Sequence, residues 1–447
     1  MDALVMIQTN DIHSHFQPFF DAMAQIQQKI TEYQEAGMEY CLIDCGDFTD
    51  RFHPLTDATN GQYNTELLEQ YHYDYVTIGN NEGLGNTHQQ LDELYQSFTG
   101  TVLVSNLIDR TTKQLPQWAK GYEIRRTNSG KKILFFGLTA PFADSYRRLD
   151  WTVIDPQLIL PRIYERFADE VDGFVLISHL GRHTDDELAE QYPWLNVILG
   201  SHTHHFYPAG KKLNHTTLTG AGKWGRAVSI ATLDLATMDC TVETIDMANF
   251  PAPDSATKAT ILDERGQQLL SERKVGYLSH SYSAREFAAW TTEKLQAKYK
   301  ADGCFLNTGL FLTDLPQGEV SAYDIQQCLP HPMHVMEVWL PGDEMRRFLH
   351  EISKNRHYLQ RFHLVGMGFR GVEFGDILSA GWQEKKGEWF YQGQPIDDQR
   401  LYHFVTVDHY YYVPYFPTLS YVGKVKVHMN HFLRAECASL LSNGGFK

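Results

Sequence analysis

Hydrophobic positions in the first half of the chain gather into five short runs, each closed by polar residues: ALVMIQTNDIHSH, CLIDCGDF, YVTIGNNE, FVLISHLG and VILGSHTHH. The runs are strand-length and rich in Val, Ile and Leu, as strands buried on both faces of an α/β sheet should be. Between them, apolar residues recur at helical spacing, as in FDAMAQIQQKITEYQEAG and TELLEQYHYDY. This alternation predicts a layered α/β domain. The run RRTNSGKKILFF predicts a hairpin turning at Asn128-Ser129-Gly130. Beyond His205 the pattern changes to short strands around LTGAGKWGRAVSIATLDL and CTVETIDM. NFPAPDSATKA, with two prolines among small residues, then marks a linker, and the helix-like ATILDERGQQLLSERK follows it. The expected organisation is a first domain over residues 1–249, a linker over 250–274 and a second domain over 275–447. A chain of 447 residues exceeds the size at which one core keeps growing, in keeping with two domains.

The polar residues that close the five runs are ligand types: Asp11, His13, Asp47, Asn80, His179, His202 and His204. In open α/β sheets, ligands gather outside the carboxyl ends of the strands, so these residues can converge on one site. Asp11 and His13 are two apart, as are His202 and His204, and an extended backbone would put each pair on one side. The set is too large for one tetrahedral ion and suits two divalent metals sharing a carboxylate, for which Asp47 is the natural bridge. Oxygen and imidazole donors without thiolate fit Mn, Zn, Fe or Co.

The ordered motifs NDIHSH, GDF, GNNE, SHLG and GSHTH resemble the calcineurin-like metallophosphoesterase signature of the 5'-nucleotidase family. The run LNTGLFL, GEVSAYDI, LPHPMH and LPGDEM resembles that family's C-terminal domain, and GNNE paired with LPHPMH resembles a leaderless, intracellular branch. The resemblance implies an αββα sandwich followed by a smaller α+β substrate-binding domain. It implies Asp11, His13, Asp47 and His204 on one metal, with Asp47, Asn80, His179 and His202 on the other. The implied activity is hydrolysis of a phosphate ester or anhydride, of a nucleotide, by a metal-activated hydroxide. A phosphodiesterase or nucleotide-sugar pyrophosphatase would use the same metals. A nucleotide-binding protein that has lost turnover is the rival from another class.

That rival draws on three departures from the family pattern. Asn81 replaces the expected His, and Leu84 replaces its partner Asp. An amide can donate a hydrogen bond but has no proton to give a leaving group. His205 and His183, beside the metal motifs, are the substitute donors to consider. The third departure is in the second domain, where the family has Asn-x-Gly-Gly-x-Arg. Here Asn307-Thr308-Gly309-Leu310-Phe311-Leu312 lacks the Arg, and Arg370 is the candidate replacement. Asn307 and Gly309 keep part of the expected substrate-binding turn. Phe369 fits one of the two rings that sandwich a base in the family, while Tyr412, Tyr415 and Phe416 compete for the other.

The formal net charge of -16 argues against a nucleic-acid partner. No apolar run approaches a membrane span, and the first strand starts too early to leave room for a signal peptide, so a cytoplasmic protein is expected. Six scattered cysteines read as buried thiols. Cys41 and Cys45 lie on one strand, roughly 13 Å apart, too far to bridge. Gly220-Ala221-Gly222-Lys223-Trp224-Gly225 matches a dinucleotide fingerprint, yet RAVSIATLDL follows it with strand alternation where a helix is required. A tight turn is expected there.

Overall fold

A computed structural model describes residues 2–442 except Val365 and Met367. The chain forms two compact units, Met1–Gly266 and Gln267–Lys447. The division falls inside helix Ser255–Ser271, so most of the stretch expected as a linker is helical.

In the first unit, one six-stranded sheet has the spatial order Cys240–Asp246, Ala227–Asp234, Ala3–Thr9, Glu39–Asp44, Tyr75–Val76, Thr101–Val102. The second has the order Lys211–Leu213, Thr216–Thr219, Val197–Leu199, Gly173–His179, Lys132–Thr139, Tyr122–Arg126. The ligand-bearing strands pair in parallel: Ala3–Thr9 with Glu39–Asp44, and Gly173–His179 with Val197–Leu199. Parallel pairing sends their carboxyl ends to one edge, which is why motifs far apart in sequence can meet. Met6, Ile43, Phe135, Val175, Val197 and Leu233 share one buried cluster between the sheets. Neighbouring positions such as Leu134, Phe136 and Leu176 face the other way, onto Leu160, Phe167 and Leu188. This is the period of two expected of strands buried on both faces. Helix Phe16–Glu35 buries Phe16, Phe19, Phe20, Met23 and Ile26 along one stripe. The unit is the expected αββα sandwich. The turn after Arg126 also forms as expected, with Arg126 paired to Lys132 across it.

The second unit has a mixed five-stranded sheet in the order Ile377–Ala380, Gly303–Asn307, Leu401–Val407, His334–Pro341, Lys424–Phe432. Helices Ala284–Tyr299, Gly342–Gln360 and Leu433–Ser442 complete an α+β unit. All six cysteines are free and buried. Among the described residues, no helix is long and apolar enough to cross a membrane.

Candidate metal centre

Two ligand clusters form at the edge where the parallel strands end: Asp11, His13 and His204, and Asp47, His179 and His202. Within each, the potential ligand atoms lie within 4.8 Å of one another. His13 Nε2 lies 3.1 Å from His204 Nε2 and 3.8 Å from Asp11 Oδ1. His179 Nε2 lies 3.4 Å from Asp47 Oδ2. The same Asp47 oxygen is 3.9 Å from His13 Nε2, so one carboxylate joins the two clusters. Asn80, first residue of the short helix Asn80–Leu84, has a buried side-chain oxygen with no hydrogen-bond partner. Asp11 Oδ1, His179 Nε2 and His202 Nδ1 are buried and unpartnered in the same way. Buried polar atoms are normally satisfied, and four orphans on one ligand set mark atoms reserved for something else. All are carboxylate, amide or imidazole donors, which fits a divalent cation.

The expectation of an extended backbone through the paired motifs is corrected here. Asp11 and His13 have φ of 50° and 48°, His202 and His204 of 72° and 56°, and Asp47 of 53°. The strands stop at Thr9 and Leu199, and the ligands sit in left-handed turns beyond them. Each such non-glycine residue costs about 1 kcal/mol or more and persists only where its surroundings enforce it. Here the enforcement is backbone bonding between loops: Asp11 N–H donates to the Gly46 carbonyl (3.0 Å) and His13 N–H to that of Asp47 (2.9 Å). Gly79 is needed for close approach, since a side chain there would collide with Oδ1 of Asp47.

Residues around the ligands aim them. His179 Nδ1–H donates to the Cys45 carbonyl (2.8 Å), which turns Nε2 inward and fixes the tautomer. Asn10 Nδ2 and the His202 N–H both donate to Asp11 Oδ2, at 2.7 and 3.0 Å, leaving Oδ1 free. Glu82 is fully buried and accepts from the Asp47, Gly79 and Thr49 N–H groups and the Thr49 hydroxyl. Asn10 and Glu82 escape a reading by ligand type alone. Their signal is position, one directly before Asp11 and the other closing GNNE.

The electrostatics follow from burial. Desolvation lifts Asp11 to about 6. Burial by itself would lower His179, but the Asp47 carboxylate holds it at about 10. His202 and His204 are pushed down to about 4 by burial and by neighbouring imidazoles, so they stand neutral and ready to ligate.

The remaining candidates are dispersed. Asn81 touches the ligands: its N–H donates to Asp47 Oδ1 (2.7 Å), and its amide nitrogen bonds the Thr49 carbonyl (2.8 Å) and lies 2.9 Å from His13 Nδ1. The structure does not bring His183 to the clusters. Its side chain is 91% exposed on helix Arg182–Gln191, beside Glu187. His205 is occupied at both nitrogens, Nε2–H donating to the Thr219 carbonyl (3.1 Å) and Nδ1 against the Thr203 hydroxyl.

In the second unit, Asn307 is buried between the Phe374 carbonyl and the Tyr410 hydroxyl, at 2.6 and 3.0 Å. Gly309 packs so closely on the Glu373 and Phe374 carbonyls that no side chain fits. Phe369, expected as one of the two base-stacking rings, is buried, with the imidazoles of His331 and His409 stacked against it at 4.8 and 6.1 Å. Phe416 is likewise a core residue, packed on Phe348, Phe374 and Tyr410. Tyr415 is buried with an unpartnered hydroxyl, whereas Tyr412 is 39% exposed. The Arg370 N–H donates to His331 Nδ1 (2.9 Å).

Comparison with known proteins agrees with this architecture. The 5'-nucleotidase C-terminal domain family matches residues 271–412. The uncharacterized metallophosphoesterase YunD of Bacillus subtilis (strain 168) is 30% identical, over 97% of this chain and 98% of its own. A putative 5'-nucleotidase from Staphylococcus aureus, solved with alpha-ketoglutarate, covers 99% of this chain and 97% of its own at a TM-score of 0.71 and 16% identity. The NAD nucleotidase of Haemophilus influenzae covers 99% and 96% at 0.63 and 14%. These structures share the fold, and the YunD match with the C-terminal domain carries the family. The chain belongs to the metallophosphoesterases of the 5'-nucleotidase family and is a hydrolase of phosphoesters.

Proposed function

We propose that this protein holds two divalent metal ions, from among Mn, Zn, Fe and Co, and hydrolyses a phosphate ester or anhydride of a nucleotide. The observation that carries the reading is the Asp47 carboxylate within reach of both ligand clusters, with four buried ligand atoms otherwise unpartnered. Asp11, His13, Asp47 and His204 would hold one ion; Asp47, Asn80, His179 and His202 would hold the other. When bound, such ions polarise a phosphoryl oxygen and make water a competent nucleophile near neutral pH.

The chain's own residues do the rest. Cys45, Asn10 and Glu82 keep the ligands aimed before substrate arrives, so no reorganisation is needed during reaction. The Asn81 amide is engaged by the Thr49 carbonyl and His13 and has no proton to give a leaving group. His205, with its N–H committed to Thr219, does not replace that function. The arrangement therefore favours substrates whose leaving group is stable as an anion. Arg370, Tyr412 and Tyr415 are the second-unit residues proposed to contact the nucleotide.

Elemental analysis combined with hydrolysis of an aryl phosphate tests the reading. Two ions per chain and metal-dependent release of phosphate are expected. Tight nucleotide binding with no turnover under any of the four metals would replace it with the binding-protein reading.

A further inference from the structure

The glycine-rich loop Gly220 to Gly225 is tied to the metal centre at several points. Asn10 Nδ2 donates to both Asp11 Oδ2 (2.7 Å) and the Gly222 carbonyl (2.8 Å). The Trp224 N–H donates to the Asp11 carbonyl (2.7 Å), and the Gly222 N–H to that of His205 (2.9 Å). Trp224 has φ of 67°, a left-handed conformation that a bulky residue rarely adopts. Backbone strain of this kind collects at functional sites, where the surrounding bonds enforce it.

What the strain achieves is the placing of an indole and two cations. The Trp224 ring stacks on His15 (4.5 Å between centroids, 17° between planes). His15 in turn bonds the His13 carbonyl through Nδ1 (2.9 Å), which anchors the stack to a second ligand residue. Lys223 Nζ lies 4.1 Å from the indole centroid and Arg226 Cζ 4.5 Å from it. Among the described residues neither cation has a carboxylate within ion-pair distance, although the chain carries a net charge of -16. His204 is the open side of the centre, its side chain 33% exposed where those of Asp11 and His179 are closed to solvent. The loop that carries the two cations is bonded directly to Asp11 and to His205, the neighbour of His204.

We propose that Lys223 and Arg226, spread over the Trp224 indole, form an anion subsite beside the metal centre that takes the phosphate next to the scissile one. Phosphoanhydrides, nucleoside diphosphates among them, are then the preferred substrate class; this rests on the metal-centre reading above. In the reaction, a water oxygen bonds to the scissile phosphorus and the bridging P–O bond breaks. The electron pair stays on the departing phosphate, and the water's proton passes to solvent. The two cations stabilise that departing anion, so the missing acid at Asn81 costs little for this class. The subsite uses no base and no sugar contact.

Calorimetric titration of the metal-loaded protein with orthophosphate and with methylenediphosphonate, a non-hydrolysable anhydride mimic, tests the subsite. The ratio of the two affinities should fall at least tenfold in Lys223→Met and in Arg226→Gln, and persist in Lys223→Arg. For ADP hydrolysis, KM should rise more than kcat falls in the first two variants. An unchanged ratio in the double variant, or equal loss of both ligands, overturns the subsite and assigns the loop a structural role. If the unmodified protein binds neither ligand when metal-loaded and releases no phosphate from an aryl phosphate, the metal-centre reading itself fails, which is a distinguishable result.

Discussion

The backbone N–H of Asn81 donates to Oδ1 of Asp47 at 2.7 Å, so the residue standing where a proton donor is expected is fastened to the carboxylate that joins the two ligand clusters. Asp47 is thereby held by the chain on one oxygen and turned toward the imidazoles with the other. Asp47→Ala should remove metal from both positions at once, since its carboxylate lies within reach of an imidazole of each cluster. Elemental analysis should find less than half an equivalent of metal per chain. Asn80→Ala and His179→Ala should weaken chiefly one of the two. Full occupancy in Asp47→Ala would refute the bridging assignment.

Glu82 offers a second test, because it belongs to neither ligand cluster yet organises the loop that carries Asp47. It is fully buried and accepts four hydrogen bonds. Glu82→Gln keeps the size but turns a donor toward N–H groups that need an acceptor. Leaving buried groups unpaired in this way should cost about 2–3 kcal/mol, and outer-shell changes typically weaken metal binding about 10–100-fold. Urea unfolding with a metal-affinity titration checks both, and wild-type values in each would show the network to be dispensable.

How far the sequence carries is visible in these residues. The parallel strands were legible because both of their faces are buried, which leaves unbroken apolar runs. The seven ligand candidates were legible because they close those runs. Their left-handed backbone was not, since φ at Asp11 or His204 is imposed by bonds to loops far away in sequence. Glu82 reads as an ordinary early-helix acid until the Asp47 loop is folded over it. Phe369 reads as a platform by position, and only the second unit's packing shows His331 and His409 against its ring. Burial of an aromatic depends on neighbours that no local pattern records.

Acid stability should report on Glu436 in the second unit. Burial alone would raise its pKa, but His431 Nε2 (2.7 Å) and Lys298 Nζ (2.5 Å) against the carboxylate bring it down to about 2. A folded-state pKa below the unfolded one contributes stability that is complete above about 4.5 and lost as pH falls toward 2. Partial solvent screening keeps the contribution to about 1–2 kcal/mol. The Tm gap between the wild-type protein and Glu436→Gln should be widest near pH 6 and close between pH values of about 5 and 2. A gap that does not narrow with acid would mean that the ion pairs contribute no net stability.

The last expectation concerns leaving groups. Expelling a nucleoside alkoxide from a monophosphate benefits strongly from a proton donor, and general acid help is typically worth about 10²–10⁴-fold. Expelling a phosphate or an aryl oxide does not, because those anions are already stable. Asn81 has no proton to give, and its amide is engaged by Thr49 and lies against His13. His183 is out in solvent and His205 is committed to Thr219. Aryl phosphates and phosphoanhydrides should therefore turn over faster than nucleoside 5'-monophosphates under the same metal. Asn81→His should raise the monophosphate rate selectively, though incompletely, because Leu84 offers the new imidazole no carboxylate partner. The comparison is a ratio of kcat/KM values on the two substrate classes, so a general loss of folded enzyme cancels. A wild-type protein that prefers monophosphates, with a rate profile showing a titrating acid, would contradict this account and place a proton donor elsewhere. His205→Ala is then the variant that decides whether that donor is His205, through loss of the alkaline limb of the profile.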